Sequence, residues 1–115
     1  MSKAIINLED FRSEDKIKHI KSKVFTGRDR GEEVRKKSKI DDLEKTNDEI
    51  EIRIPADIYS INPSFFEELF FNVVQKLKKD GFVSKFKLIS LGEYNFQGEL
   101  LEAVDRILND TTAID

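Results

Sequence analysis

The sequence predicts an α/β domain built on a mostly parallel β-sheet, with helices mainly on one face. Three observations carry this. Residues 49–54, Glu-Ile-Glu-Ile-Arg-Ile, alternate apolar and charged side chains, the period of a half-buried strand. An amphipathic run from Pro63 to Lys79 follows it. A second short apolar run, Lys85–Leu91, and another amphipathic segment close the chain. Strands alternating with helices imply parallel pairing through right-handed crossovers.

Taken in order, Ile5-Ile6-Asn7-Leu8 reads as a short first strand. Residues 12–25 are ambiguous: Ile17, Ile20 and Val24 recur at helical spacing, yet Val24-Phe25 also fits the end of a strand. Thr26-Gly27 signals a turn. A helix is expected over Asp29–Leu43. Its narrow face of Gly31, Val34 and Ser38 suits either close packing on a sheet or a marginal helix held by its neighbours. Thr46-Asn47-Asp48 is a turn. In the 49–54 strand, Ile50, Ile52 and Ile54 point one way and Glu49, Glu51 and Arg53 the other. A strand covered on both faces would be apolar throughout, so one face of the sheet is expected to be open or met by something polar. Pro55 ends the strand.

The next helix is expected from Pro63 to Lys79. Phe65, Phe66, Leu69, Phe70, Val73, Val74 and Leu77 make one broad apolar stripe, Lys76, Lys78 and Lys79 suit the negative end of the helix dipole, and Gly81 supplies a stop. The third strand is Lys85–Leu91. A last helix runs from Asn95 to Asn109 on a stripe of Phe96, Leu100, Leu101, Val104, Ile107 and Leu108. The tail, Asp110 to Asp115, is expected to fray.

The chain has 115 residues, which predicts one domain, 1–115, with a core of about 25–109. Residues 1–24 supply an N-terminal strand and a basic segment. There is no cysteine, which excludes disulfides and thiolate metal sites. No run approaches the roughly 18–20 apolar residues of a membrane helix, and the N-terminus lacks a signal peptide's apolar core. A cytoplasmic protein with no membrane partner is the expectation. The net charge of −3 is unevenly spread: residues 12–39 hold 11 Lys/Arg against 5 Asp/Glu, while 41–68 hold 9 acids and 2 bases. Folding either brings these halves together or leaves a dipolar surface.

Catalytic constellations are scarce. A nucleophile needs a base and an orienting group, and the single histidine, His19, sits in a lysine-rich segment as a solvated residue. No carboxylate spacing resembles a calcium loop, and there is no GxGxxG or P-loop pattern. No enzyme activity, metal or cofactor is therefore expected. Thr26-Gly27-Arg28-Asp29-Arg30-Gly31 offers Arg28 and Arg30 near a helix start, where an anion could sit. Glu67-Glu68 lie in the first turn of the Pro63 helix, where acids are favourable.

Ser64 has two readings. Ser64-Phe65-Phe66-Glu67 has the form of a capping box, and Asn62-Pro63 is a competing cap. With either cap the Ser64 hydroxyl lies at the positive end of the helix, where a phosphate would be favoured. Phe71 lies about 150° from the centre of the apolar stripe at about 100° per residue. It either packs under a neighbouring segment such as 12–25 or is exposed as a partner contact.

From about Phe25 to Leu108 the chain resembles the STAS-like domains of unknown function found in bacteria. Thr26–Val34 resembles that family's Arg-x-x-Gly helix start, and Ile61-Asn62-Pro63-Ser64-Phe65-Phe66-Glu67-Glu68-Leu69 its Ser-Phe-x-x-Glu-Leu helix. The Lys85–Leu91 strand and the helix after it take the expected places. The wider likeness is to anti-sigma-factor antagonists. The resemblance implies a four- or five-stranded sheet backed by helices, a non-enzymatic regulatory module, and docking on a protein partner such as a GHKL-type ATPase. Ser64 falls at the position of the phosphorylated serine, with Asn62, Pro63 and Phe65 in place of the family's aspartate, first serine and glycine. The expected contact surface is Asn62, Ser64, Glu67, Phe71, Arg28 and Arg30. The alternative is a nucleic-acid-binding module using the basic segment 12–39. A small nucleotide-binding enzyme using Arg28, Arg30 and Ser64 comes last.

Overall fold

The computed structural model describes residues 2–15 and 17–113. Its main sheet is three parallel strands: β1 (Lys3–Asn7), β5 (Glu49–Ile54) and β7 (Phe86–Ser90), in the order β1-β5-β7. The chain is therefore an α/β fold with a mostly parallel sheet, but among the described residues that sheet has three strands rather than the expected four or five. The remaining strands are two-residue ladders. β2 (Glu14–Asp15) pairs antiparallel with β3 (Ile20–Lys21), and β4 (Val24–Phe25) pairs in parallel with β6 (Ser60–Ile61). This decides the ambiguous stretch 12–25 in favour of short strands. Leu8 leaves β1 and enters a 3-10 turn, Leu8–Phe11, where it is fully buried.

The isoleucines behave as their alternation requires. Ile50, Ile52 and Ile54 are fully buried. On the opposite face, Ile5 and Ile89 stand 50% and 40% exposed. Glu51 is buried there by its own partners, Lys3 Nζ at 2.8 Å and Arg53 Nε at 2.5 Å. Hydrogen bonds from Lys3, then Arg53, hold its carboxyl below the usual range. The open face combines these ion pairs with partly exposed isoleucines.

Among the described residues five helices complete the fold: α1 (Arg28–Ser38), α2 (Ile40–Thr46), α3 (Pro63–Leu69), α4 (Phe71–Lys85) and α5 (Gln97–Ala113). Two expected helices are divided. The Asp29–Leu43 helix breaks at Lys39, whose φ of 57° and ψ of 36° are left-handed. The Pro63–Lys79 helix breaks at Phe70, with φ −101° and ψ 8°, and again inside α4 at Lys78, with φ 62° and ψ −179°. Gly81 does not stop it; helix resumes to Lys85. At the far end α5 reaches Ala113, so Asp110–Ala113 are helical rather than frayed, while Ile114 and Asp115 lie outside the described residues. Among the described residues no helix is long and apolar enough to cross a membrane.

Gly31 explains where α1 sits. A Cβ at this position would lie 2.5 Å from the Phe65 carbonyl oxygen and 2.8 Å from Glu68 Cβ. The small face of α1 therefore lies against α3, not against a sheet. Arg12 fastens the irregular segment that follows the 3-10 turn. Its side chain is 4% exposed and reaches both oxygens of Asp57 at 2.9 Å, Glu9 Oε1 at 3.0 Å and the Ser22 carbonyl at 2.7 Å.

The Lys78 break has a visible consequence. Lys76 and Lys85 are nine positions apart, about 180° around a regular helix at about 100° per residue. Across the break both reach one buried carboxylate, Glu44 of α2: Lys76 Nζ lies 2.7 Å from Oε1 and Lys85 Nζ 2.9 Å from Oε2. Lys85 also donates to the Glu44 carbonyl at 2.6 Å. Burial pushes the Glu44 carboxyl up, but the hydrogen bonds from Lys76 and Lys85 outweigh it and hold the group below its ordinary value.

Two outcomes are expected. Lys78→Gly relieves a conformation costing about 1–3 kcal/mol in a residue with a Cβ, less about 1 kcal/mol for glycine's extra freedom when unfolded. Urea unfolding should show a gain of about 1 kcal/mol, and a loss would show the backbone there to be unstrained. For Glu44, a lowered folded value means stability that is fully present above the unfolded carboxyl value of about 4.3 and lost as the pH falls through the folded value. The acid limb of stability against pH should be shallower in Glu44→Gln than in the wild type.

Candidate functional site

The start of α3 is positioned from three directions. The β4–β6 ladder sets the backbone: Phe25 pairs with Ile61, and the Asn62 N–H donates to the Phe25 carbonyl at 2.9 Å. The Tyr94 hydroxyl accepts the Ile61 N–H at 3.1 Å and donates to the Ile61 carbonyl at 3.3 Å, which fixes β6 from the β7–α5 connection. Burial raises the Tyr94 phenol above its ordinary value, keeping that donor protonated. Gly31 then lets α1 close on α3 from the third side.

The cap belongs to Asn62. Its Oδ1 accepts the Ser64 N–H at 2.9 Å, with Pro63 as the first helical residue. The capping box on Ser64 does not form. The Ser64 hydroxyl instead donates to Asn62 Oδ1 at 2.8 Å and remains partly accessible. It sits on the turn from β6 into α3, supported by the Asn62 side chain rather than supporting the helix.

Glu67 and Glu68 lie beyond the first turn, so the expected dipole role is corrected. Glu67 is buried, with Arg28 Nη2 at 3.1 Å and Arg106 Nη1 at 3.9 Å. Glu68 meets Arg28 Nη1 at 3.4 Å and Arg35 Nη1 at 3.5 Å. The carboxylates of α3 are thus bracketed by guanidinium groups from α1 and α5. Arg28, at the first position of α1, is itself 56% exposed at the side chain, so it links the buried acid to the surface. A hydrogen bond with Glu67 raises its already high proton affinity.

Arg28 therefore meets Glu67 across α1 and α3, while Asn62 and Ser64 meet at the α3 start. Arg30 joins neither pair: it donates to the Phe11 carbonyl at 2.7 Å and pairs with Glu33 at 3.0 Å. Phe71 is half-buried against the hydrophobic core, the packed alternative, at the start of α4. Sequence reasoning missed Arg35, Tyr94 and Arg106. The only local signal for Arg106 is its spacing four residues after Glu102, its partner at 3.1 Å. Around Arg28 the surface is a shallow open depression lined by Thr26, Gly27, Asp29, Arg30 and Glu33.

The basic segment is largely neutralised by the chain's own acids. Arg12 pairs with Asp57, Lys21 with Glu9, Lys36 with Glu32, Lys37 with Glu33, and Arg28 and Arg35 with the acids of α3. Compared with known proteins, the chain matches no family model, no curated protein and no solved structure.

Removing the cap should cost more than removing the hydroxyl. Asn62→Ala is expected to destabilise by about 1 kcal/mol, and Ser64→Ala by clearly less. Equal losses in chemical unfolding would return the capping role to Ser64.

Proposed function

We propose that this chain is a non-enzymatic regulatory module that docks on a protein partner through the surface around the α3 start. It resembles an anti-sigma-factor antagonist in this reading. The partner is a GHKL-type ATPase, and Ser64 is the group through which the interaction is switched. One observation carries the proposal: Asn62 caps α3, so the helix does not need the Ser64 hydroxyl, which is left partly accessible at the helix start.

A phosphate on Ser64 would add about −1.5 to −2 charges at neutral pH. It would arrive within about one helical turn of Glu67 and Glu68, whose charges are balanced by Arg28, Arg35 and Arg106. The new charge would upset that balance on the face the partner meets. A cytoplasmic setting, with access to ATP, belongs to the same reading. The nucleic-acid alternative is less favoured because the bases of 12–39 are so widely paired with neighbouring acids, which lowers the free positive potential that phosphate backbones need.

The test immobilises the wild-type chain, Ser64→Ala and Ser64→Asp, and reads captured ATPases from the source cell by mass spectrometry. Wild type and Ser64→Ala should capture a GHKL-type ATPase, and Ser64→Asp about tenfold less, equivalent to about 1.4 kcal/mol of binding. Capture of no such ATPase would remove the partner, and equal capture by all three would remove Ser64 as the switch.

A further inference from the structure

We infer that the outer edge of β7 is a self-association surface, on which a second copy of this chain pairs antiparallel to extend the sheet from three strands to six. The inference is independent of Ser64 and of any ATPase.

The backbone comes first. β7 is the last strand of the main sheet, bonded on one side only to β5. The Leu91 N–H donates to the Ile54 carbonyl at 2.9 Å. Along a parallel strand the hydrogen-bonding side alternates by residue. Residues of Leu91's parity thus face β5, while the N–H and C=O groups of Leu88 and Ser90, and the C=O of Phe86, face outward. The Phe86 N–H is already used, donating to the Phe82 carbonyl at the end of α4. An edge with such groups is a template for another strand unless it is blunted by proline, charged side chains, a bulge or a cover; β7 contains no proline and a single charged residue, Lys87.

The side chains point the same way. Leu88 belongs to the core-facing set, opposite the fully buried Ile52, yet it is only partly covered. Next to it Ile89 and, just past the strand, Leu91 are 40% and 54% exposed. The edge therefore carries exposed apolar surface on both faces of the strand. At the opposite edge of the sheet β1 offers Ile5 flanked by Lys3 and Asn7, a more polar margin.

Charge sets the direction in which a second copy pairs. Lys87 is the strand's own lysine, since Lys85 ends α4 and is held by Glu44. Antiparallel pairing keeps the two Lys87 side chains apart; parallel pairing in register would set them side by side. With Leu88 on the two-fold axis, Leu88 pairs with its own copy through both outward groups, and Ser90 donates to the partner's Phe86. On the outer face Lys87 then stands opposite the partner's Ile89, so no like charges are directly opposed.

Sedimentation velocity over a wide concentration range, with amide hydrogen exchange, tests this. The wild type should form a dimer, and the Leu88 and Ser90 amides should gain protection as it forms. Ile89→Lys places like charges opposite one another and should weaken the dimer about tenfold or more. Adding Lys87→Glu to that variant should restore it, because the opposed charges then attract. Ile5→Lys, at the far edge, should leave association unchanged. A wild type that stays monomeric overturns the inference. So does a dimer with no concentration-dependent protection at Leu88, or one weakened equally by Ile5→Lys and Ile89→Lys. Circular dichroism of each variant separates lost pairing from lost folding, and the rescue by Lys87→Glu cannot come from misfolding.

Discussion

A continuous chain of phenylalanine contacts holds the two halves of the molecule together. Phe25 of β4 meets Phe65 at 4.9 Å between ring centres, Phe65 meets Phe66 at 6.1 Å, and Phe66 stacks on Phe70 at 5.7 Å. Phe70 then meets Phe82 at 5.0 Å and Phe86 at 6.0 Å, which carries the contact into β7. All six rings are at most 4% exposed. Burying a phenylalanine is worth about 1.5–3 kcal/mol. Six of them supply roughly 10–20 kcal/mol, as much as the entire net stability of about 5–15 kcal/mol typical of a domain. The candidate site at Asn62 and Ser64 and the open edge at β7 lie at opposite ends of this chain of rings, so both are attached to the packed core.

The buried acids follow a common plan. Glu44 lies between Lys76 and Lys85, Glu51 between Lys3 and Arg53, and Glu67 between Arg28 and Arg106. Each carboxylate is met by two cations, and in each case at least one comes from a different element. Ion pairs of this kind return little net stability once desolvation is counted, but removing one partner leaves an uncompensated buried charge. Their contribution here is to fix which elements meet. The same pairs settle the uneven charge of the sequence. The basic segment 12–39 folds onto the acidic 41–68 through Arg12–Asp57, Arg28–Glu67 and Arg35–Glu68, so the two halves neutralise each other instead of forming a strongly dipolar surface.

Much of the architecture can be read from local pattern. The alternation of 49–54 gives the central strand at its observed bounds, Glu49–Ile54, together with the face it buries. The phenylalanine stripe gives the heart of the core, and the open polar face follows from the charged alternates of β5. At the site, Asn62-Pro63 already contains the cap that the structure uses. Arg28 and Glu67 are individually visible, but nothing local pairs them. They are 39 positions apart in the chain and meet only because Gly31 admits α3 at backbone contact.

What the sequence by itself determined is therefore the type of each long element and the side of it that turns inward, because those depend on periodicities of two and 3.6 residues within one segment. Tertiary structure alone decided where the helices break and which charges meet. Lys39, Phe70 and Lys78 carry no proline or glycine of their own to interrupt a helix. At Lys78 the break puts two lysines from opposite helix faces onto Glu44, an acid more than thirty residues earlier in the chain. The lysines and their acid are neighbours in space only, and no window along the chain contains both.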